Sequence, residues 1–208
     1  MRLLPAVQHH LPQVGRPSAE GLALGRGIVI RIAAFDPGTK NLGCVVLTVS
    51  PTRKLSLETA NTYRGASAMH IYKFIGEDSY APDALGALAV EDIRGPVVGA
   101  WRAGETNASS IASLLRCLGW VEGVAAAMTL PVILITPRVW RSCLGLPANA
   151  TKLQARRAIE RLLPNEFETP EGKRHRLTEH EIDACAIGYA ASRVAGQMRS
   201  VGEKARRK

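Results

Sequence analysis

An apolar run that stops at an acid constrains this chain more than any other feature. Ile28 to Phe35 reads IVIRIAAF and leads straight into Asp36-Pro37-Gly38. β-Branched residues suit an extended, pleated backbone, so the run predicts a buried strand over 28–36. Pro-Gly then forces a turn. Leu42 to Val49 predicts a second strand, so the turn closes a hairpin. Asp36 would sit at the end of a sheet with its carboxylate on rigid backbone. Asp-Pro-Gly is also ordinary turn chemistry, and this stretch alone supports either role.

The rest of the chain extends the sheet. KLSLETANTY (54–63) alternates like a third antiparallel strand, and residues 66–77 carry a helical apolar face of Met69, Ile71, Tyr72, Phe74 and Ile75. Pro82 breaks the chain, and LGALAVED predicts a short buried strand ending at Glu91. The Gly-rich segment 94–107, with Arg94, Trp101 and Arg102, predicts a loop with contacts to make. A long helix follows over about 108–128, then a buried strand, PVILIT (131–136), and a short helix or turn from Pro137. ANATKLQARRAIERLLP predicts an amphipathic helix stopped by Pro164, and 165–177 a charged loop. TEHEIDACAIGYAASRVAG predicts the last helix, capped by Thr178. Short strands alternating with helices define an α/β layer fold, and strand-helix-strand units pair in parallel with right-handed crossovers. The expected division is a flexible extension over 1–26, one domain over 27–197 and a disordered basic tail over 198–208.

Charge narrows the partners. The chain has 27 Lys plus Arg against 18 Asp plus Glu, a formal net charge of +9. That excess favours a polyanion, nucleic acid before an anionic membrane. No window reaches the roughly 18 apolar residues of a membrane span, and no membrane role is expected. Cys44, Cys117, Cys143 and Cys185 form no CxxC pair and lie in apolar surroundings. They predict reduced, buried thiols and a cytoplasmic, intracellular setting, with organellar targeting left open.

Acids recur where apolar runs end. Asp36 closes the first strand and Glu91 the fourth. On the last helix His180 and Asp183, three apart, share a face among Ala184, Cys185, Ala186 and Ile187. A carboxylate in that company needs compensation for its charge. Oxygen ligands from separate elements suit magnesium, which keeps some of its waters. Two such ions about 4 Å apart activate a water and stabilise the leaving oxygen of a phosphodiester. Taken singly, each acid also fits a cap or a salt bridge.

In this order and spacing the segments resemble the RuvC family of Holliday junction resolvases, in the ribonuclease H-like superfamily. FDPGTKNLGCVVL is similar to that family's first strand and turn, with its aspartate at Asp36. LAVEDIRG is similar to the strand ending in a catalytic glutamate, at Glu91. LGWVEGVAAA resembles the central helix, where Gly119 and Gly123 would permit close packing. ITPRVWRSCLGLPANATKLQARRAIERLL resembles the strand-Pro segment, turn and Lys-bearing helix. EHEIDACAIGYAA resembles the closing helix, in which His180 and Asp183 match a pair filled by Asp or His first and Asp second. Two positions depart from the pattern. Arg94 stands near the place of a junction-wedging aromatic, with Trp101 the nearest large ring, and Trp140 stands where many members carry a basic residue.

The resemblance implies a ribonuclease H-like fold: a mixed five-stranded sheet, its first three strands antiparallel and the rest parallel, flanked by helices. It implies an endonuclease that resolves four-way junctions by symmetric paired nicks. Water would be the nucleophile, leaving a 5′-phosphate and a 3′-hydroxyl. Two magnesium ions, for which manganese would substitute, would be held by Asp36, Glu91, His180 and Asp183. A homodimer would place two equivalent sites on a nearly two-fold substrate, and a branch-migration helicase is a partner left open. Lys152, Arg156 and Arg141, with Arg94 and Lys40 at other turns, are the expected phosphate contacts. Asn41 in the first turn would orient a water or touch phosphate. Glu179, four residues before Asp183, competes with His180 as a ligand. Asp92 should face away from Glu91, and His9, His10 and His70 are expected at the surface without partners. Three other functions fit parts of the pattern. These are a related nuclease on other branched DNA or RNA, an inactive DNA-binding module, and an actin-like ATPase fragment. The last rests on DPGTKNLG as a phosphate loop, and the sequence holds no second one.

Overall fold

The computed structural model describes residues 29–50, 54–78, 85–94, 108–163, 166–168 and 172–206. The expected extension over 1–26 and the loop bearing Trp101 and Arg102 lie outside them. The central sheet contains β1 (Ile30–Pro37), β2 (Asn41–Val49), β3 (Leu55–Arg64), β4 (Leu85–Glu91) and β5 (Val132–Ile135), in the order β3-β2-β1-β4-β5. β1 pairs antiparallel with β2, and β2 with β3, while β4 runs parallel to β1 and β5 parallel to β4. The mixed sheet is the one expected from the sequence.

Strand alternation sorts the core into two layers. Ala33 and Phe35 of β1, Leu42, Cys44 and Val46 of β2, and Leu88 and Val90 of β4 face one side. There they meet α1 (Ala68–Lys73), the π-turn Phe74–Asp78 that continues it, and α2 (Ala108–Ala127). Ile32, Ala34, Val45, Leu47 and Ala89 face the other. That face is covered by α3 (Pro137–Cys143), α4 (Lys152–Leu162) and α5 (Glu179–Arg206). By the same parity Asp36 and Glu91 belong to the α5 face. In the parallel register Phe35 lies beside Val90, so the two acids follow on neighbouring strand ends. Arg31, the one charge inside the first run, is buried and pairs with Glu58 of β3.

α5 lies unusually close to the sheet. A Cβ on Gly43 would stand 2.2 Å from the His180 carbonyl oxygen and 2.5 Å from its carbon. One on Gly188 would meet Leu47 Cδ1 at 2.6 Å and Ala34 Cβ at 3.0 Å. The helix begins with a reciprocal cap: the Glu181 N–H donates to Thr178 Oγ1 at 3.2 Å, and the Thr178 N–H donates to Glu181 Oε2 at 2.8 Å.

Several expectations are corrected. α4 starts at Lys152 and not near Ala148, because Thr151 and Gln154 form a capping box there. The expected loop 165–177 contains a small antiparallel hairpin, β6 (Glu166–Glu168) with β7 (Arg174–Arg176). α5 continues to Arg206, through most of the segment expected as a disordered tail. No proline follows Thr178, and Gln, Met, Glu, Lys and Arg are good helix formers. α2 is, by length and composition, apolar enough to cross a membrane. Its hydropathy is spread among serines, glycines and two charges, so no uninterrupted apolar run announces it. Cys117, Leu118, Val121 and Ala125 pack it on the sheet. Gly119 and Gly123 of α2 were expected to permit close packing, yet no atom lies within 4 Å of a Cβ built on either. His70 stacks on Tyr63, with ring centroids 4.9 Å apart, and is not a partnerless surface residue. Cys143 is only partly buried, unlike the other three thiols.

Gly43→Ala should lower stability by about 3 kcal/mol, because the methyl meets helix backbone that cannot yield. That is about 6–12 °C in Tm for a domain of this size. Gly76→Ala, where no atom lies within 4 Å, should leave Tm unchanged or raise it slightly. Equal Tm values for Gly43→Ala and wild type in a thermal melt would contradict this packing.

Candidate active site

Four elements meet at one end of the sheet. Asp36 ends β1, Glu91 ends β4, α3 supplies Trp140 and Arg141, and α5 supplies His180 and Asp183. With Gly38, Pro137, Ala150 and Lys152 they line a cleft of about 350 Å³. Arg156 lines a neighbouring depression of about 280 Å³ with Lys152, Leu153, Glu179, Ile182 and Asp183. Glu179 thus stands outside the cleft that His180 enters. Lys40 is exposed on the β1–β2 turn and is not part of the lining. Arg94 is drawn away: its Nε donates to Asp92 at 2.9 Å, and its guanidinium lies 3.9 Å from Glu122. Asp92 accordingly faces away from the cleft, its carboxyl held below the usual range by the hydrogen bond from Arg94.

Each carboxylate in the cleft has taken a partner. His180 Nδ1 donates to Asp36 Oδ2 at 2.9 Å, and Asn41 Nδ2 lies 3.2 Å from His180 Nε2. With Asn41 donating through Nδ2, the ring accepts at Nε2 and is neutral; with the amide turned, both ring nitrogens donate. The bond to Asp36 raises the His180 pKa against the opposing effect of burial. Reaching the imidazolium turns the Asn41 amide to present its oxygen. Trp140 Nε1 donates to Glu91 Oε1 at 3.1 Å. Lys152 Nζ stands 3.8 Å from Asp183 and 3.9 Å from Glu179.

These partners do not satisfy the acids. Burial, and then the negative charges of Asp36 and Asp183, push the Glu91 carboxyl up to about 7, although the Trp140 bond works against this. Burial and Asp36 push Asp183 up to about 6, with Lys152 and His180 opposing. Arg141 lies over the Trp140 ring, 4.6 Å from its centroid, and its Nε is buried with no hydrogen-bond partner among the described residues. Among the described residues no three His, Cys, Asp or Glu side chains close round a single point. The donor set nevertheless fits a hard divalent cation. It is all carboxylate and crowded, and repulsion adds to burial in raising the Glu91 and Asp183 carboxyls.

Two site features escaped the sequence reading. Trp140 is the group that holds Glu91, and nothing local in VWRS pairs an indole with an acid 49 residues earlier. Glu181 is fully buried and accepts from Thr62 Oγ1 at 3.0 Å, pairs with His175 Nε2 at 2.9 Å and caps α5. The spacing Thr178-x-x-Glu181 is a capping-box signature that would have found it.

No protein-family model matches the chain, and no curated protein matches it. Solved structures do. Thermus thermophilus RuvC is 20% identical with a TM-score of 0.53, covering 78% of this chain and 92% of that one. T. thermophilus RuvC in complex with a Holliday junction substrate is 18% identical with a TM-score of 0.54 and the same coverage. The yeast mitochondrial Holliday junction resolvase is 10% identical with a TM-score of 0.52, covering 87% of each chain. At these identities the likeness is one of fold: the chain has the RuvC type of ribonuclease H-like fold.

The raised carboxyls set the pH dependence of stability. Glu91 and Asp183 bind protons more tightly in the folded chain than in the unfolded one, where carboxyls titrate near 4.5 and 3.8. Their favourable contribution is complete below those unfolded values and is lost as pH rises through about 6 and 7. The Tm of metal-free protein should therefore fall between pH 5 and pH 7.5, and Glu91→Gln should flatten the fall. A Glu91→Gln profile as steep as that of wild type would remove Glu91 as its source.

Proposed function

We propose that the protein is a magnesium-dependent, structure-selective endonuclease that resolves four-way DNA junctions by paired nicks, with water as nucleophile. One observation carries this. Carboxylates from β1, β4 and α5 line a single cleft, with Lys152 and Arg141 beside them. The fold is shared with a RuvC structure bound to a Holliday junction substrate, which favours branched DNA as the partner here.

Asp36, Glu91 and Asp183 are the residues to hold magnesium, with His180 beside them. The bound ion would supply charge for the attacking and leaving oxygens of the phosphodiester. The chain's own groups do the rest. Lys152, 3.8 Å from Asp183, would be free for the substrate phosphate if a bound ion met that acid's charge. Trp140 keeps the Glu91 carboxylate turned into the cleft. His180, held by Asp36 and Asn41, is placed to orient the attacking water at Nε2 once the Asn41 amide gives way.

Two nicks require two sites, and α2 supplies a self-complementary face. Ala112, Leu115, Arg116, Gly119, Glu122, Gly123 and Ala126 are all exposed on it. Antiparallel pairing of two copies about Gly119 sets Arg116 opposite Glu122, Leu115 opposite Gly123 and Ala112 opposite Ala126. Charge and size both match, so we assign the homodimer to this face. Arg116→Glu should weaken self-association about tenfold by setting like charges opposite one another twice. The double reversal R116E/E122R should restore it in sedimentation velocity; no rescue would move the interface elsewhere.

Asp36→Asn should abolish magnesium-dependent nicking of a synthetic four-way junction while binding persists, because binding rests on cations and cleavage on the acids. The assay runs beside linear duplex and single strand. A variant cutting at the wild-type rate, or wild type cutting all three alike, would refute the proposal.

A further inference from the structure

Arg64 is a cation at the rim of the cleft that no role above employs. It ends β3, is exposed, and has no hydrogen bond or ion pair from its side chain among the described residues. Arg31, Arg94 and Lys152, by contrast, are all paired with acids. Arg64 lies directly across from Asn41 in the antiparallel register, so the two side chains share a face at about 5 Å between Cβ atoms. That face is the site's. Asn41 meets His180, which binds Asp36. Two residues back on β3, Thr62 Oγ1 lies 2.7 Å from Thr178 Oγ1 at the cap of α5. Arg64 therefore projects just beyond the start of α5, on the side of the cleft away from α4.

The backbone holds it there. The Gly65 N–H donates to the Lys40 carbonyl at 2.8 Å, stitching the β3 turn to the β1–β2 turn. Gly65 makes that turn with φ +65°, a conformation open to glycine and costly for other residues. Lys40 and Arg64 thereby stand on adjoining turns, both exposed. The β6–β7 hairpin, though rich in cations, offers less. Its register sets Arg174 opposite Glu168 and Arg176 opposite Glu166.

We infer that Arg64, with Lys40, binds the nucleic-acid phosphate flanking the cleft on the β3 side, opposite the Lys152–Arg156 contacts. The substrate strand then crosses the acids with cations at both margins, and its scissile phosphate is positioned from two directions. A guanidinium suits this role through its fork of donors to phosphate oxygens. The inference rests on the nuclease proposal and deepens it.

The test is binding to a synthetic four-way junction under chelation, across a salt series. Arg64→Ala should weaken affinity several-fold and lower the slope of log K against log salt by about one unit, as for a lost phosphate contact. Arg64→Lys should keep the slope. Lys54→Ala removes the same charge at the far end of β3, about 30 Å away by strand rise, and should change neither. Tm should be unaltered in all three, since Arg64 and Lys54 are exposed. Wild-type binding and cleavage with an unchanged slope in Arg64→Ala would overturn this inference alone. An equal loss in Lys54→Ala would also overturn it, by assigning the effect to net charge. Wild type that neither binds nor cuts the junction would overturn the nuclease proposal with it.

Discussion

The contact between the start of α5 and Gly43 of β2 governs the rest of this structure. The helix backbone at His180 sits where a Cβ would otherwise stand. It lets His180 and Asp183 come down onto the strand ends that carry Asp36 and Glu91. The approach is held from both sides. Gly188 lets the third turn of the helix settle against Leu47 and Ala34, and the buried Glu181 ties the first turn to Thr62. Packing places the acids, and the local sequence around each one does not.

Electrostatics then sets the condition of the cleft. Three carboxylates in a partly desolvated space cannot all ionise cheaply, and the protein meets this with provisional partners. An imidazole takes Asp36, an indole N–H takes Glu91 and an ammonium takes Asp183. Two of the three carboxyls are still driven well above their ordinary range. A site left short of positive charge in this way would favour a cation, and the same shortage sets Lys152 beside Asp183. The basic margin and the acidic floor are therefore coupled.

The outer face of α2 follows a different logic. A helix this apolar would be expected to bury most of its surface, yet only one stripe meets the sheet. The opposite stripe carries small residues, Leu115 and the charges of Arg116 and Glu122, a composition that suits a second helix better than water. The site and this face lie on opposite sides of the sheet, so a dimer through α2 would leave both clefts open to substrate.

How much of this was legible in advance depended on how local each cause was. The strands, their order and the two parallel crossovers follow from apolar runs, Pro-Gly and helix periodicity, which are written within a few residues of where they act. Asp36 and Glu91 stood out as acids ending apolar runs, and Asp183 as an acid in an apolar helix, both visible in one dimension. The parity that turns Asp36 and Glu91 to one face is also a sequence property, since strand neighbours alternate. The choice between His180 and Glu179 was not. It depends on the rotation of α5 about its axis, which the Gly43 contact sets. The partnership of Trp140 with Glu91, the buried anchoring of Glu181 and the nearness of Arg64 to Asn41 span 23 to 119 residues. Such pairs exist only once strands are in register and helices are seated, because their energy comes from proximity that no local propensity encodes. The chain by itself determined which residues stand out as candidates for chemistry; the tertiary structure decided which of them meet.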